Sequence, residues 1–222
     1  MAEKIKTVIF DMDGVLLDTE AIWLKSWKRV AEIEGLENIE KVYLRCIGSN
    51  AGHVRGIMLD AYGEKAAKRD LRAMADEFYY EYERKNGFPL KPMAEESLKW
   101  LKARGYRVGL ATSTDGEDAR RQLKSLGLFE YFDAVTCGDA VARSKPAPDI
   151  YIEACRATGG TPDSCVAVED SINGIISAFD AGLMPIMVPD ILQPDERVEG
   201  MLFAVCGDLG ELCRLLEKHN GK

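Results

Sequence analysis

Short apolar runs rich in β-branched residues alternate in this chain with longer stretches whose apolar positions recur every third or fourth residue. The first kind fits buried strands and the second amphipathic helices. Strands are expected at 7–10, 106–111, 133–136, 165–168 and 185–188. Helices are expected at 93–104, 115–126, 147–158, 171–181 and 209–218. Gly105, Gly127 and Gly182 close three of them, and Thr114 with Glu117 fits a capping box at the start of the helix over 115–126. The stretch from 18 to 85 contains no convincing strand. It reads as helices over 19–34, 36–46, 54–62 and a long charged one over 64–85, with a break at Gly48-Ser49-Asn50-Ala51-Gly52.

Strands alternating with helices mean parallel βαβ units. The expected fold is therefore α/β, a Rossmann-like doubly wound parallel sheet with an inserted α-helical domain. Residues 1–17 and 87–222 form the expected core and 18–86 the expected insert, with Pro89 and Pro92 marking the return to the core. In such sheets ligands bind outside the carboxyl ends of the strands. Four strand ends carry chemistry: Asp11 and Asp13 before Gly14; Thr112, Ser113 and Thr114; Lys145 within RSKPAPD; and Glu169 with Asp170. Each has an ordinary reading. Aspartates, threonines and serines cap helices, a lysine before proline sits well in a solvated loop, and acids favour a helix N-terminus. Together at one rim they fit a phosphate bound beside a divalent cation. The hydroxyls and the helix start after Thr114 would receive phosphate oxygens, Lys145 would neutralise charge, and Asp11 and Asp170 would hold Mg²⁺. Asn173, one turn into the following helix, reads equally as a partner of the metal ligands or as a surface residue.

Composition narrows the partners. The 222 residues carry a formal net charge of −8, which disfavours non-specific nucleic-acid binding. Six cysteines, none in a CxxC pattern, and two histidines make a zinc site improbable. The cysteines fall inside apolar patterns and are expected as core residues in a reducing compartment. The N-terminus lacks the pattern of a signal peptide, and no apolar run reaches membrane-spanning length. The expectation is a cytoplasmic protein, monomeric by default, that meets a small phosphorylated metabolite and neither nucleic acid nor membrane.

Four segments, DMDGVLLDT, LATST, SKPAPDIY and VEDSINGI, resemble in order and spacing the four motifs of the haloacid dehalogenase-like hydrolases, nearest the phosphatase and β-phosphoglucomutase-like subfamily. The resemblance implies Asp11 as a nucleophile that becomes phosphorylated, and Asp13 as acid and base whose backbone carbonyl also meets Mg²⁺. It implies Thr112, with Ser113 beside it, and Lys145 as phosphate-binding residues. It implies Asp170 as a metal ligand, Glu169 as an acid binding the metal directly or through water, and the helical stretch as a mobile cap. Sugar phosphomutases of this kind use a histidine and an arginine in that cap. The matching positions here hold Trp23 and Ala51, while His53 and Arg55 lie nearby without matching. A Mg²⁺-dependent phosphatase of small phosphomonoesters, working through an aspartyl-phosphate, is thus expected ahead of a mutase. A phosphorylation-switched binding module is a remoter alternative, since such modules lack a helical insert of this size.

Overall fold

The computed structural model describes residues 4–221. Six strands, β1 (Thr7–Phe10), β2 (Arg107–Ala111), β3 (Ala134–Thr136), β4 (Cys165–Glu169), β5 (Met184–Met187) and β6 (Ala204–Val205), form one sheet in the order β3-β2-β1-β4-β5-β6. All neighbours are parallel. The chain winds outward from β1 to β3 on one side, then crosses to β4 and winds outward on the other. The crevice between β1 and β4 is therefore the switch point, where a parallel sheet opens a binding site. Phe10 lies level with both Leu110 and Val168, so the segments after β1, β2 and β4 leave the sheet at one height.

Between β1 and β2 the chain forms α1 (Glu20–Glu34), α2 (Ile39–Leu44), α3 (Ala51–Tyr62), α4 (Glu64–Lys68) and α5 (Leu71–Asn86), then α6 (Ala94–Ala103). Helices α7 (Gly116–Ser125), α8 (Asp149–Ala157), α9 (Ile172–Asp180) and α10 (Leu209–Asn220) follow β2, β3, β4 and β6. Successive side chains of a strand point to opposite faces, and the central strands are buried on both. Val8, Phe10, Val108, Leu110, Val166 and Val168 pack with Leu98 of α6 and Leu212 of α10. Ile9, Ala111 and Ala167 pack instead with Tyr151 and Ala154 of α8 and Ala178 of α9. The insert has an apolar cluster of its own, in which Trp27 and Val30 of α1 meet Tyr43, Met58, Leu71 and Ala75.

The structure departs from the sequence reading at several boundaries, for local reasons. The long helix over 64–85 is two helices: Arg69 is extended at φ −137° and the Asp70 carboxylate accepts a bond from the Ala73 amide at 3.0 Å, starting α5 afresh. A short acid beside its own backbone competes with helix continuation. Helix α3 starts three residues earlier than its apolar pattern, because Asn50 accepts from the His53 amide at 2.9 Å. The expected capping box of α7 does not form. Asp139 accepts the Gly116 amide at 3.1 Å, and Thr114 turns elsewhere. Strand β6 has two residues, too few for any periodicity to mark. All six cysteines are buried and free, as their apolar settings suggested. No helix among the described residues is long and apolar enough to cross a membrane.

Candidate active site

Lys145 reaches the switch point from the loop after β3 and is 1% exposed. Its ammonium donates to Asp11 Oδ1 at 2.7 Å, to Glu169 Oε1 at 2.6 Å and to the Ala111 carbonyl at 2.9 Å. An ammonium has three donors, and all three are used. Burial pulls the lysine's pKa down, but the adjacent Asp11 and Glu169 carboxylates outweigh it and hold the pKa above its ordinary value. The lysine therefore remains a cation in the core. Glu169 is engaged throughout: Oε1 also accepts the Tyr151 hydroxyl at 2.7 Å, and Oε2 accepts Ser171 Oγ at 3.0 Å.

Asp170 is the opposite case. It is 2% exposed, and among the described residues its Oδ2 has no hydrogen-bond partner. Burial, followed by the negative charges of Glu20, Glu169 and Asp11, pushes its carboxyl well above the usual range. Ligand oxygens of Asp11, Glu169 and Asp170 lie within 4.8 Å of one another. Three carboxylates around one ammonium leave two negative charges uncompensated in a buried site. That deficit, an orphaned oxygen and an all-oxygen donor set fit a hard divalent cation such as Mg²⁺. Because Glu169 is already saturated by protein donors, Asp11 and Asp170 are the pair best placed for direct contact.

Gly14 makes room for this arrangement. It has φ +75°, and a Cβ there would stand 2.2 Å from Asp170 Oδ2. Gly14→Ala combines left-handed strain of about 1–2 kcal/mol with displacement of that carboxylate. The expected result is a lower melting temperature and at least a tenfold weaker Mg²⁺ affinity, read by titrating Mg²⁺ against thermal unfolding. Unchanged affinity would remove Asp170 from the metal site.

Asp13 lines the same cavity as Asp11. Thr19 Oγ1 donates to its Oδ1 at 2.6 Å and Thr114 Oγ1 to its Oδ2 at 2.9 Å. Thr112 is buried, its Oγ1 accepting the Thr114 amide at 3.1 Å. Ser113 Oγ donates to the Gly48 carbonyl of the insert at 3.1 Å. The amide that opens α7, expected to face phosphate, is the one taken by Asp139. Asn173 is neither a surface residue nor a partner of the acids. Its amide donates to the Ile47 carbonyl at 3.4 Å and to Ser49 Oγ at 3.3 Å, tying the loop before α3 to the rim of the sheet.

The eight residues named at the four strand ends all lie at this rim. Asp11, Asp13, Thr112 and Ser113 line a cavity of about 110 Å³ closed on its far side by the insert. That is space for a small metabolite. Trp23 and Ala51 line it too, while Arg55 points away to Asp70 at 3.0 Å. Trp23 is packed as a wall, stacked on Tyr79 at 3.8 Å and covered by the Arg72 guanidinium at 4.3 Å. Two functional groups escaped the sequence reading. Tyr151 lies in the apolar stripe of α8, where it passes for a core aromatic. Glu20, at the start of α1, passes for an acid favouring the helix dipole. Its carboxyl is buried beside Tyr43, which donates its hydroxyl to Oε2. Burial, against the pull of that hydroxyl, pushes its pKa up to about 8.

Fold and site together define an α/β protein whose acids, hydroxyls and buried lysine gather at the switch point of a parallel sheet beneath a helical insert. The sequence profile of the haloacid dehalogenase-like hydrolases matches residues 5–182, and the chain belongs to that family. A phosphorylated carbohydrates phosphatase of Thermotoga maritima is 34% identical over 183 residues, which is 81% of this chain and 82% of that one. The crystal structure of CbbY from Rhodobacter sphaeroides in complex with phosphate superposes with a TM-score of 0.75 at 26% identity, over 94% of this chain and 96% of that one. β-Phosphoglucomutase from Clostridium difficile shares the fold, with a TM-score of 0.77 at 21% identity over 98% of this chain and 98% of its own.

Proposed function

We propose that this hydrolase is a Mg²⁺-dependent phosphatase that passes the phosphoryl group of a small phosphorylated carbohydrate to Asp11 and then to water. One observation carries the reading: Asp11 has Oδ1 held by a buried lysine, and its Oδ2 takes no hydrogen bond from the described residues, at the floor of a metabolite-sized cavity. Lys145 orients the carboxylate and leaves one oxygen to attack. The bond from Asp11 Oδ2 to phosphorus forms as the ester P–O bond breaks, and Asp13 gives its proton to the departing alkoxide. Asp13, oriented by the hydroxyls of Thr19 and Thr114, then takes a proton from water. That water attacks phosphorus, the Asp11–phosphorus bond breaks, and phosphate leaves. Thr112 and Ser113 are placed to meet phosphoryl oxygens. Mg²⁺, held by Asp11 and Asp170 with the Asp13 carbonyl, would supply positive charge beside those oxygens. The insert, acting as a cap, keeps bulk water from the first step.

A mutase must hold a second phosphate opposite the first. The cavity wall carries the acids Glu20, Asp115 and Asp118, and its arginine, Arg72, is committed to Asp76 at 2.7 Å. This favours hydrolysis. The test is a phosphate-release screen over sugar phosphates, polyol phosphates and p-nitrophenyl phosphate, with Mg²⁺ and with a chelator. Release at least tenfold above the chelated control is expected for several esters. Isomerisation of β-glucose 1-phosphate without phosphate release would overturn the reading in favour of the mutase.

A further inference from the structure

Glu169 belongs to the acid cluster at the metal position, yet protein donors occupy both of its oxygens. Oε1 accepts the Lys145 ammonium at 2.6 Å and the Tyr151 hydroxyl at 2.7 Å, and Oε2 accepts Ser171 Oγ at 3.0 Å. Asp170, its neighbour in the chain, is the reverse, with Oδ2 left without a donor among the described residues. Two adjacent buried carboxylates thus face one position in opposite states. The lysine bond is part of the ionic network that also holds Asp11. The tyrosine bond has no such second purpose. A hydroxyl has one proton to donate, and this one goes to Glu169. The ring is fully buried among Ile9, Ala111, Ala167 and Ala154, with Lys145 Nζ 5.0 Å from its centre. Packing alone does not ask for the hydroxyl, because a phenylalanine would fill the same space. A polar atom carried into an apolar cluster is costly unless it is bonded, so its use must be sought at the carboxylate that it meets.

We propose that Tyr151 is a positioning residue that withholds Glu169 from the metal. Held by Tyr151 and Lys145 at one oxygen and by Ser171 at the other, Glu169 lends negative charge to the metal's surroundings without a direct bond. The ion then rests on Asp11 and Asp170. Mg²⁺ dehydrates reluctantly and is usually bound through one or two carboxylates, with water and phosphate oxygens as its other ligands. A third carboxylate in direct contact would compete with those oxygens. The inference rests on the Mg²⁺ site of the phosphatase reading above and adds to it the residue that sets how tightly the ion is held.

The test titrates Mg²⁺ against thermal unfolding for the wild type, Tyr151→Phe, Glu169→Gln and the double variant. Tyr151→Phe keeps the ring and removes only the hydroxyl. Glu169 Oε1 is then left with Lys145 alone, and the divalent cation becomes the group that can take its free lone pair. Mg²⁺ affinity is expected to rise about tenfold, the lower end of what a hydrogen bond to a charged group is worth. Loss of a merely structural contact would leave the affinity unchanged or weaken it. Beside Glu169→Gln, the same tyrosine change should alter the affinity less than about twofold, because the gain runs through the carboxylate. Ser171→Gly frees the other oxygen at little cost as a helix N-cap and should also tighten binding. Tyr151→Phe decides the matter where it folds, and Ser171→Gly decides it where Tyr151→Phe does not. Unchanged or weaker Mg²⁺ binding in the deciding variant, or a gain that persists beside Glu169→Gln, would overturn the role of Tyr151 and leave the phosphatase reading standing. A wild type whose melting temperature ignores Mg²⁺ overturns both.

Discussion

Asp11→Asn is expected to lower phosphate release by at least about 10⁴-fold, on the scale seen when a catalytic nucleophile is removed. An amide nitrogen or oxygen at this position cannot form the acyl phosphate, yet the side chain keeps its shape and its oxygen can still accept from Lys145. The loss should fall on kcat, with substrate still bound, because the phosphate-facing hydroxyls and the insert are untouched. Steady-state phosphate release measures the loss. Acid quenching of the wild type with ³²P-labelled substrate should trap label on the protein, and the variant should trap none. A variant that turns over within tenfold of the wild type would exclude covalent transfer to Asp11.

Lys145→Met is the second large effect, and it falls on stability as well as turnover. The methionine fills a similar volume but leaves Asp11 and Glu169 in the core without their cation. Removing one partner of a buried ionic network costs about 3–5 kcal/mol. In a chain of this size each kcal/mol moves the melting temperature by roughly 2–4 °C, so a drop of about 6–20 °C is expected by calorimetry. The sign of its pH dependence follows from the same groups. Burial already pushes the Asp11 carboxyl up to about 8 against the pull of Lys145; without the ammonium it rises further, so the folded variant binds more protons than the unfolded chain and loses stability as pH rises. The deficit relative to the wild type should therefore be larger at pH 8 than at pH 5.5. A deficit that is small, or larger at the lower pH, would mean that the lysine does not hold the acids together.

The rim of the sheet was legible from the sequence because parallel topology leaves little freedom there. Once Thr7–Phe10, the run before Thr112 and the run before Glu169 are recognised as strands, their next residues must emerge side by side. The register of Phe10 with Leu110 and Val168 shows why. The insert was harder. Apolar spacing located its helices, but Asp70 and Asn50 set their starts through side-chain bonds to the backbone, and such bonds leave no periodic trace. Thr114 fitted a capping pattern by residue type, yet its hydroxyl serves Asp13 from across the crevice. Contacts between distant segments, such as Asn173 with the loop before α3 or Tyr43 with Glu20, become visible only once the chain is folded.

The strand that delivers Asp11 is flanked on both sides, by β2 and by β4, and the Asp11 amide itself donates to the Val168 carbonyl at 2.9 Å. Segments so enclosed exchange their amide hydrogens last, through openings that approach complete unfolding. The aim of the nucleophile is therefore inherited from the whole sheet. Remote substitutions that lower overall stability leave the chemistry untouched until the molecule melts.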